Sequence, residues 1–186
     1  NVSNALRQLA GSPERCALLV IDVQDIFCNP KRQGNNETHE IAGQIAALAP
    51  AFREAGAQIY AIYMDTNGVS GKSFYRFEPD ETRGDIIVPK DQNSAFKSMC
   101  SNIGKSLDQN GHTHILACGF NLAACVHLTV RDAIPGLDTT LLTDLSGNDS
   151  EVKSKDINTE LLYIQNMGCR LASASDILAG EHVFHE

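Results

Sequence analysis

Runs of apolar residues rich in β-branched side chains recur along the chain, and segments with helical periodicity separate them. "CALLVIDV" (Cys16–Val23) is almost continuously apolar, which is typical of a strand that is covered on both faces. Similar runs predict five further strands, at residues 57–64, 85–90, 114–120, 138–145 and 169–174.

Helical periodicity is clearest before the second strand, where apolar side chains recur every three or four positions up to Gly56, a typical helix end. Further helices are predicted at residues 98–111, 121–134 and 154–168. Alternating strands and helices are typical of a parallel sheet with right-handed crossovers. The sequence therefore predicts one α/β domain over residues 1–186: a Rossmann-like three-layer α/β/α sandwich with a mainly parallel sheet of about six strands.

Composition and charge narrow the classes of partner. The 186 residues carry a formal charge of −8, which argues against nucleic acid or an anionic membrane surface as the main partner. No apolar run approaches the ~20 residues that cross a bilayer, and the first residues show no signal or transit peptide pattern. Three of the six cysteines, Cys16, Cys118 and Cys169, lie in strand-like segments, so we expect reduced thiols and a cytoplasmic location. "NDS" matches the glycosylation pattern, but so short a pattern recurs by chance.

Candidate functional residues stand where the predicted strands end. In open α/β sheets, ligands bind beyond the carboxyl ends of the strands, and that edge receives Asp22, Asp65 and the segment Gly119–Cys125. No G-x-G-x-x-G motif or P-loop follows a strand, so a nucleotide-binding site of either type is excluded.

Three residues near the ends of predicted strands could act together as base, cation and nucleophile. Asp22 interrupts an apolar run, Lys90 ends a strand, and Cys125 lies near a predicted helix start. Taken singly, Asp22 could as well satisfy loop amides, and most lysines are surface residues. The positive end of a helix dipole favours a thiolate, so Cys125 is expected to react with alkylating reagents faster than the other cysteines.

Three motifs, in order along the chain, resemble those of the isochorismatase-like cysteine hydrolases, which include nicotinamidases, N-carbamoylsarcosine amidases and ureidoacrylate hydrolases. "LLVIDVQDIF" resembles the strand that ends in Asp-x-Gln with a Phe shortly after. "VPKDQNSAF" resembles the family's Lys followed by Ser-x-Phe. "GFNLAACVHLTVRDA" resembles the family's third motif, a Gly with Cys-Val six residues later and then a helix that ends in Asp-Ala. The resemblance runs from about Cys16 to the final strand.

The resemblance implies a catalytic triad of Cys125, Asp22 and Lys90. Lys97 is the nearest rival for the lysine, but it follows the Ser-x-Phe instead of preceding it.

The resemblance also implies a cis peptide bond between Phe120 and Asn121. The oxyanion donors would be the backbone amides of Asn121 and Cys125. Asp22 would take the thiol proton, and a thioester would form on Cys125.

Departures from the family pattern bear on the substrate and on metal binding. The Thr that often stands three residues before the cysteine is Leu122 here, and "MDTNG" has Asn67 where nicotinamidases place a metal-binding histidine. A nicotinamidase-type metal site is therefore not expected. We also expect no cofactor. His112 and His114 form H-x-H, but solvated histidines are commoner than ligands at such spacing.

The substrate pocket is expected to involve the loop over residues 65–83, which contains "SFYRFEP". Arg76 and Arg83 are candidates to bind a substrate carboxylate, although core packing explains the loop's aromatic residues equally well. The candidate pocket residues are Phe27, Asp65, Phe74, Tyr75 and Leu122.

The function predicted from the resemblance is hydrolysis of a C–N bond, amide or ureido, in a small-molecule substrate by a homodimer or homotetramer. One alternative is an isochorismatase-type vinyl-ether hydrolase, which does not depend on a cysteine nucleophile. Another is a non-catalytic binding protein on the same fold.

Overall fold

A six-stranded parallel sheet forms the centre of the molecule, with neighbouring strands in the order β3-β2-β1-β4-β5-β6. The computed structural model describes residues 1–66, 72–152 and 157–179. The strands are β1 (Cys16–Ile21), β2 (Gln58–Met64), β3 (Ile86–Lys90), β4 (His114–Phe120), β5 (Asp138–Gly147) and β6 (Arg170–Ala172). The predicted α/β architecture is confirmed, and every described pair of neighbouring strands is parallel.

Helices cover both faces of the sheet. They are α1 (Val2–Ala10), α2 (Asp25–Cys28), α3 (Asn36–Ala55), α4 (Ile103–Gln109), α5 (His127–Ala133), α6 (Ile157–Asn166) and α7 (Ala174–Ala179). The strand order reverses between β1 and β4, because the chain first builds outward to β3 and then returns to the other side of β1. Such a reversal opens a crevice at the carboxyl ends of the two strands, the place where ligands bind in doubly wound sheets.

Side chains of β1 alternate between two apolar layers. Leu18 and Val20 pack with α1, α3 and α7 on one face, whereas Leu19 and Ile21 pack with α4, α5 and α6 on the other. All residues of β1 are buried, which explains the nearly continuous apolar run in its sequence.

Several element boundaries differ from the sequence prediction. The predicted helix at 98–111 is shortened to α4, because the Ser98 hydroxyl accepts from the Asp91 amide (3.0 Å) and donates to its carboxylate (2.7 Å), which holds the start of the segment outside the helix. The final strand ends at Ala172, and α7 begins at Ala174. The amino-terminal helix α1 was not predicted.

Within the described ranges no helix is both long and apolar enough to span a bilayer. All six cysteines lie in those ranges, and each is a free thiol.

Candidate active site

Asp22 directly follows β1 and turns the chain at the carboxyl end of the sheet. Its backbone is left-handed, with φ of 51°, a conformation that aspartate adopts more readily than most non-glycine residues. The turn is held by hydrogen bonds from the Asp22 amide to the Ile62 carbonyl (2.9 Å) and from the Gln24 amide to the Asp22 carbonyl (2.8 Å). The carboxylate is 99% shielded from solvent, since only 1% of the residue is exposed.

The Gln24 side chain explains why a glutamine follows the aspartate two positions later. Its amide group donates to the Met64 carbonyl (3.1 Å), and its Oε1 accepts from the Met64 amide (2.8 Å). The buried Gln24 side chain thus pairs with the backbone of Met64, the last residue of β2, although Gln24 itself lies beyond the end of β1. This contact fixes the end of β2 next to Asp22.

Lys90, the last residue of β3, reaches across the end of β2 to the Asp22 carboxylate. Its Nζ lies 2.7 Å from Asp22 Oδ2, and the two side chains are 0% and 1% exposed. The same Nζ donates to Cys125 Sγ (3.4 Å) and to the Gln92 carbonyl (3.2 Å). The ammonium group therefore bridges the carboxylate and the thiol.

The segment after β4 brings the cysteine to this position. The peptide bond between Phe120 and Asn121 is cis, at the position that the sequence resemblance implies. Residues Leu122–Val126 then form a π-helical turn before α5 begins, whereas the sequence predicted an ordinary helix over this segment. Single π-helical turns are frequent at functional sites, and here the turn carries Cys125.

Asp22, Lys90 and Cys125 form a buried cluster that we call the triad, and burial affects the ionisation of Asp22 and Cys125. Burial raises the pKa of Asp22, and the neighbouring Lys90 ammonium and Cys125 thiol oppose that rise. Oδ1 of Asp22 makes no hydrogen bond of standard geometry to any described residue. A carboxylate with a raised pKa beside a thiol is suited to accept a proton.

The expectation of a readily ionised Cys125 is wrong. Burial and the nearby Asp22 carboxylate raise the pKa of the thiol to about 12, and Lys90 only partly opposes them. The chain around Cys125 forms a π-helical turn and the residue is 6% exposed, so the cost of burying a thiolate exceeds any gain from a helix dipole.

The loop after β5 supports the turn that carries the cysteine, and sequence reasoning missed it. The Asn121 side chain donates to Asp149 Oδ2 (2.9 Å) and accepts from the Asp149 amide (2.6 Å). Oδ1 of Asn148 accepts from the Ala123 amide (2.9 Å). The "NDS" stretch thus positions the backbone around Cys125; the sequence alone offered no signal beyond its polarity.

A cavity of about 460 Å³ opens beside the triad. Its described lining residues are Phe27, Met64, Thr66, Asp91, Gln92, Asn93, Ser94, Lys97 and Leu128. It connects with the triad through Asn93, whose Oδ1 accepts from Cys125 Sγ at 3.7 Å, and through Met64, whose Sδ lies 3.8 Å from Lys90 Nζ. We call it the site cavity.

A family model described as the isochorismatase domain matches residues 16–174. The chain belongs to the isochorismatase family. Among curated proteins, the uncharacterized isochorismatase family protein YddQ of Bacillus subtilis (strain 168) is 28% identical over 128 residues, which are 63% of this chain and 69% of the relative.

Solved structures of isochorismatase-family proteins share the fold. An isochorismatase from Pseudomonas putida KT2440 has a TM-score of 0.74 at 23% identity, covering 92% of this chain and 97% of that one. N-carbamoylsarcosine amidase from Thermoplasma acidophilum has a TM-score of 0.72 at 18% identity, covering 85% of this chain and 95% of that one. At these identities the likeness shows the fold alone. Family members are hydrolases, with an amidase among them.

Of the predicted pocket residues of this isochorismatase domain, Phe27 lines the site cavity and four others do not. Asp65 is exposed, and its amide is used to pair with the Lys90 carbonyl (2.7 Å). Leu122 is buried in the apolar layer that contains α5. Neither is among the described residues of the cavity wall.

Phe74 and Tyr75 pack against the core on the α3 side of the sheet. Phe74 makes an edge contact with Tyr63, and the Tyr75 hydroxyl lies 2.8 Å from His39 Nδ1. These two aromatic residues therefore anchor the loop to the domain and do not face the site cavity.

The three basic residues considered for the site separate in space. Arg76 donates to the His39 carbonyl (3.0 Å) at the surface of α3, and Arg83 lies near the amino end of β2, at the edge opposite the triad. Lys97 lines the site cavity but makes no described contact with Asp22, whereas Lys90 does.

The two histidines of the H-x-H motif each contact a protein group. His112 lies 3.1 Å from the Glu14 carbonyl and His114 lies 2.8 Å from the Thr140 hydroxyl, both at the amino edge of the sheet. No cluster of three or more metal-ligating side chains occurs in the described ranges. Asn67, which replaces the metal-binding histidine of nicotinamidases, lies outside the described residues.

Proposed function

We propose that this isochorismatase-family protein is a cysteine hydrolase that cleaves a C–N bond, amide or ureido, of a small molecule. The observation that carries the proposal is the position of Lys90 Nζ, 2.7 Å from the Asp22 carboxylate and 3.4 Å from Cys125 Sγ, in a buried site. A thiol, an adjacent carboxylate that can act as base and a fixed cation that contacts both form a set suited to nucleophilic catalysis by cysteine.

Proton transfer within the triad leaves its total charge unchanged. Before the reaction, Asp22 is negative, Lys90 is positive and Cys125 is neutral; after transfer of the thiol proton, Asp22 is neutral and Cys125 is negative. Because Lys90 contacts both groups, it stabilises whichever one carries the charge. The high pKa of the free thiol is therefore compatible with catalysis, provided that proton transfer to Asp22 accompanies attack on the substrate.

The reaction then follows four bond changes. Cys125 Sγ bonds to the carbonyl carbon while its proton passes to Asp22, and the carbonyl oxygen becomes an oxyanion. The oxyanion collapses, the C–N bond breaks, and Asp22 returns the proton to the leaving nitrogen. A water molecule gives one proton to Asp22 and attacks the thioester. The C–S bond breaks, the proton on Asp22 restores the thiol, and the acid is released.

Backbone amides of Asn121 and Cys125 are the proposed oxyanion donors. Three neighbouring amides already have acceptors: those of Ala124 and Val126 bond to the Asn121 carbonyl (3.0 and 3.1 Å), and that of Ala123 bonds to Asn148. Amide donors held rigidly at a developing negative charge typically contribute ~10²–10³-fold to turnover.

Ammonia release from a panel of small primary amides and ureido acids tests the proposal. We expect at least one compound to be hydrolysed, with the activity lost in Cys125→Ala and retained in Cys100→Ala, a matched change of an exposed cysteine. Rapid acid quenching followed by peptide mass analysis should find the acyl group on Cys125.

Assays with vinyl-ether substrates could contradict the proposed C–N hydrolysis. A protein that releases a carbonyl product from a vinyl ether, releases no ammonia from any amide, and keeps its activity in Cys125→Ala would contradict the proposed chemistry. A protein that turns over neither class would support a binding role.

A further inference from the structure

Asn93 lies between the buried triad and the open site cavity. It lines the cavity, its side chain is exposed, and its Oδ1 accepts a hydrogen bond from Cys125 Sγ at 3.7 Å. Cys125 itself is only 6% exposed. A substrate that reaches the sulfur from the cavity must therefore pass next to the carboxamide of Asn93.

The hydrogen bond that Oδ1 of Asn93 accepts from Cys125 Sγ requires the proton on the sulfur. Once the proton has moved to Asp22, the sulfur is a hydrogen-bond acceptor, and Oδ1 of Asn93 is one too. An amide oxygen beside a thiolate is unfavourable unless another donor replaces the lost S–H. A substrate with an N–H group on its scissile bond supplies that donor at the moment of attack.

We propose that Asn93 is a specificity-determining residue whose Oδ1 accepts an N–H from the leaving nitrogen of the substrate. The inference rests on the proposed C–N hydrolysis and narrows its substrate class to amides and ureido compounds whose leaving nitrogen bears hydrogen. Binding one N–H also orients the nitrogen, so that its lone pair can face the proton on Asp22. Esters and vinyl ethers have no such donor.

The walls of the site cavity fit a small substrate of this kind. Phe27, Met64 and Leu128 provide apolar surface, and Gln92 and Asn93 provide carboxamides. Pockets of this composition bind small molecules by burying apolar area, while a few polar groups fix the orientation.

The test compares kcat/KM for a primary amide with that for the methyl ester of the same acyl group. In Asn93→Leu, which keeps the approximate size but removes the acceptor, we expect the amide value to fall about tenfold, the loss of one hydrogen bond at the reacting group, while the ester value is unchanged or higher. Asn93→Asp keeps an acceptor but adds a charge beside the thiolate, so both values should fall while their ratio stays near that of the wild type.

Asn102→Leu is the matched control, because Asn102 is exposed at the start of α4 and its side chain makes no cap hydrogen bond. Equal losses for amide and ester in Asn93→Leu would overturn the assignment of Asn93 while leaving the proposed hydrolysis intact. A wild-type protein that hydrolyses neither substrate would overturn both. Thermal melts of each variant confirm that the fold is retained.

Discussion

Gly119 of β4 lies directly against Ile21 of β1, so closely that a Cβ at Gly119 would overlap the Ile21 carbonyl oxygen. Its φ of 120° is also one that side-chain-bearing residues rarely adopt. Asp22 follows Ile21, and the cis peptide bond follows Phe120, so this contact sets the distance between Asp22 and the segment that carries Cys125.

Gly119→Ala should therefore impair both stability and catalysis. We expect the free energy of unfolding to fall by at least about 2 kcal/mol, from strain and overpacking together, with a loss of turnover. Gly136→Ala is the control, because a Cβ at Gly136 meets no atom within 4 Å. Wild-type melting and activity in Gly119→Ala would show that the two strands can separate without harm to the site.

Alkylation of Cys125 should depend steeply on pH. With the pKa of the thiol raised to about 12 by burial and by Asp22, the thiolate fraction should grow about tenfold per pH unit between pH 7 and pH 10. Peptide mapping after brief iodoacetamide treatment measures this for each cysteine, and the exposed Cys100 should be labelled before Cys125 at pH 7. A labelling rate of Cys125 that reaches its plateau near neutral pH would mean that the resting thiol is already ionised.

The pH profile of kcat/KM should report the ionisation of Asp22. Activity should rise as the carboxyl loses its proton, with a midpoint above the ordinary value of about 4, because burial raises the pKa of Asp22. The Lys90 ammonium lowers that pKa, so Lys90→Met should move the midpoint to higher pH in whatever activity remains. Lys105→Met, which changes an exposed lysine on α4, should leave the pH profile unchanged. A midpoint that does not move in Lys90→Met would show that Lys90 does not influence the ionisation of Asp22.

Asp149→Ala should reduce turnover even though Asp149 is not expected to contact the substrate. The variant loses both hydrogen bonds that the Asp149 carboxylate accepts from the Glu151 and Val152 amides (3.0 and 3.1 Å), as well as the bond from the Asn121 side chain. We expect kcat to fall by about tenfold or more with little change in KM, because the proposed oxyanion donors are displaced and the walls of the site cavity are not. Ser150→Ala is the neighbouring control, and a KM effect of the same size would place Asp149 in substrate binding.

The sequence predicts those elements of the fold whose own residue pattern determines their structure. β1 is buried on both faces, so its sequence is nearly all apolar, and the Asp-x-Gln that follows marks its end in the family pattern. The helix α1 escaped prediction, although its buried residues recur at helical spacing and Gly11 ends it in a left-handed conformation. Its pattern covers only about two turns, which is short for recognition by periodicity.

The parts of the site that sequence did not predict depend on contacts between distant segments. The pKa of Cys125 depends on burial and on Asp22, a residue that follows β1 and is far from Cys125 in the sequence. The link from Asn121 to Asp149 joins the ends of β4 and β5, and a π-helical turn has no composition that distinguishes it from an α-helix. Phe74 and Tyr75 were expected near the substrate because aromatic residues line many pockets, but the same surfaces also pack well against α3.

The central claim is that Asp22, Lys90 and Cys125 act as one unit, and a double-mutant cycle tests it most directly. The measurement is kcat/KM on the best amide substrate for Asp22→Asn, Lys90→Met and the double variant, with thermal melts as the folding control. Each single change should reduce kcat/KM by ~10²–10⁴-fold. The double variant should be about as active as the less active of the two single variants, because the effects of residues that act as a unit are strongly non-additive. Additive losses, or a fully active Lys90→Met, would contradict the triad.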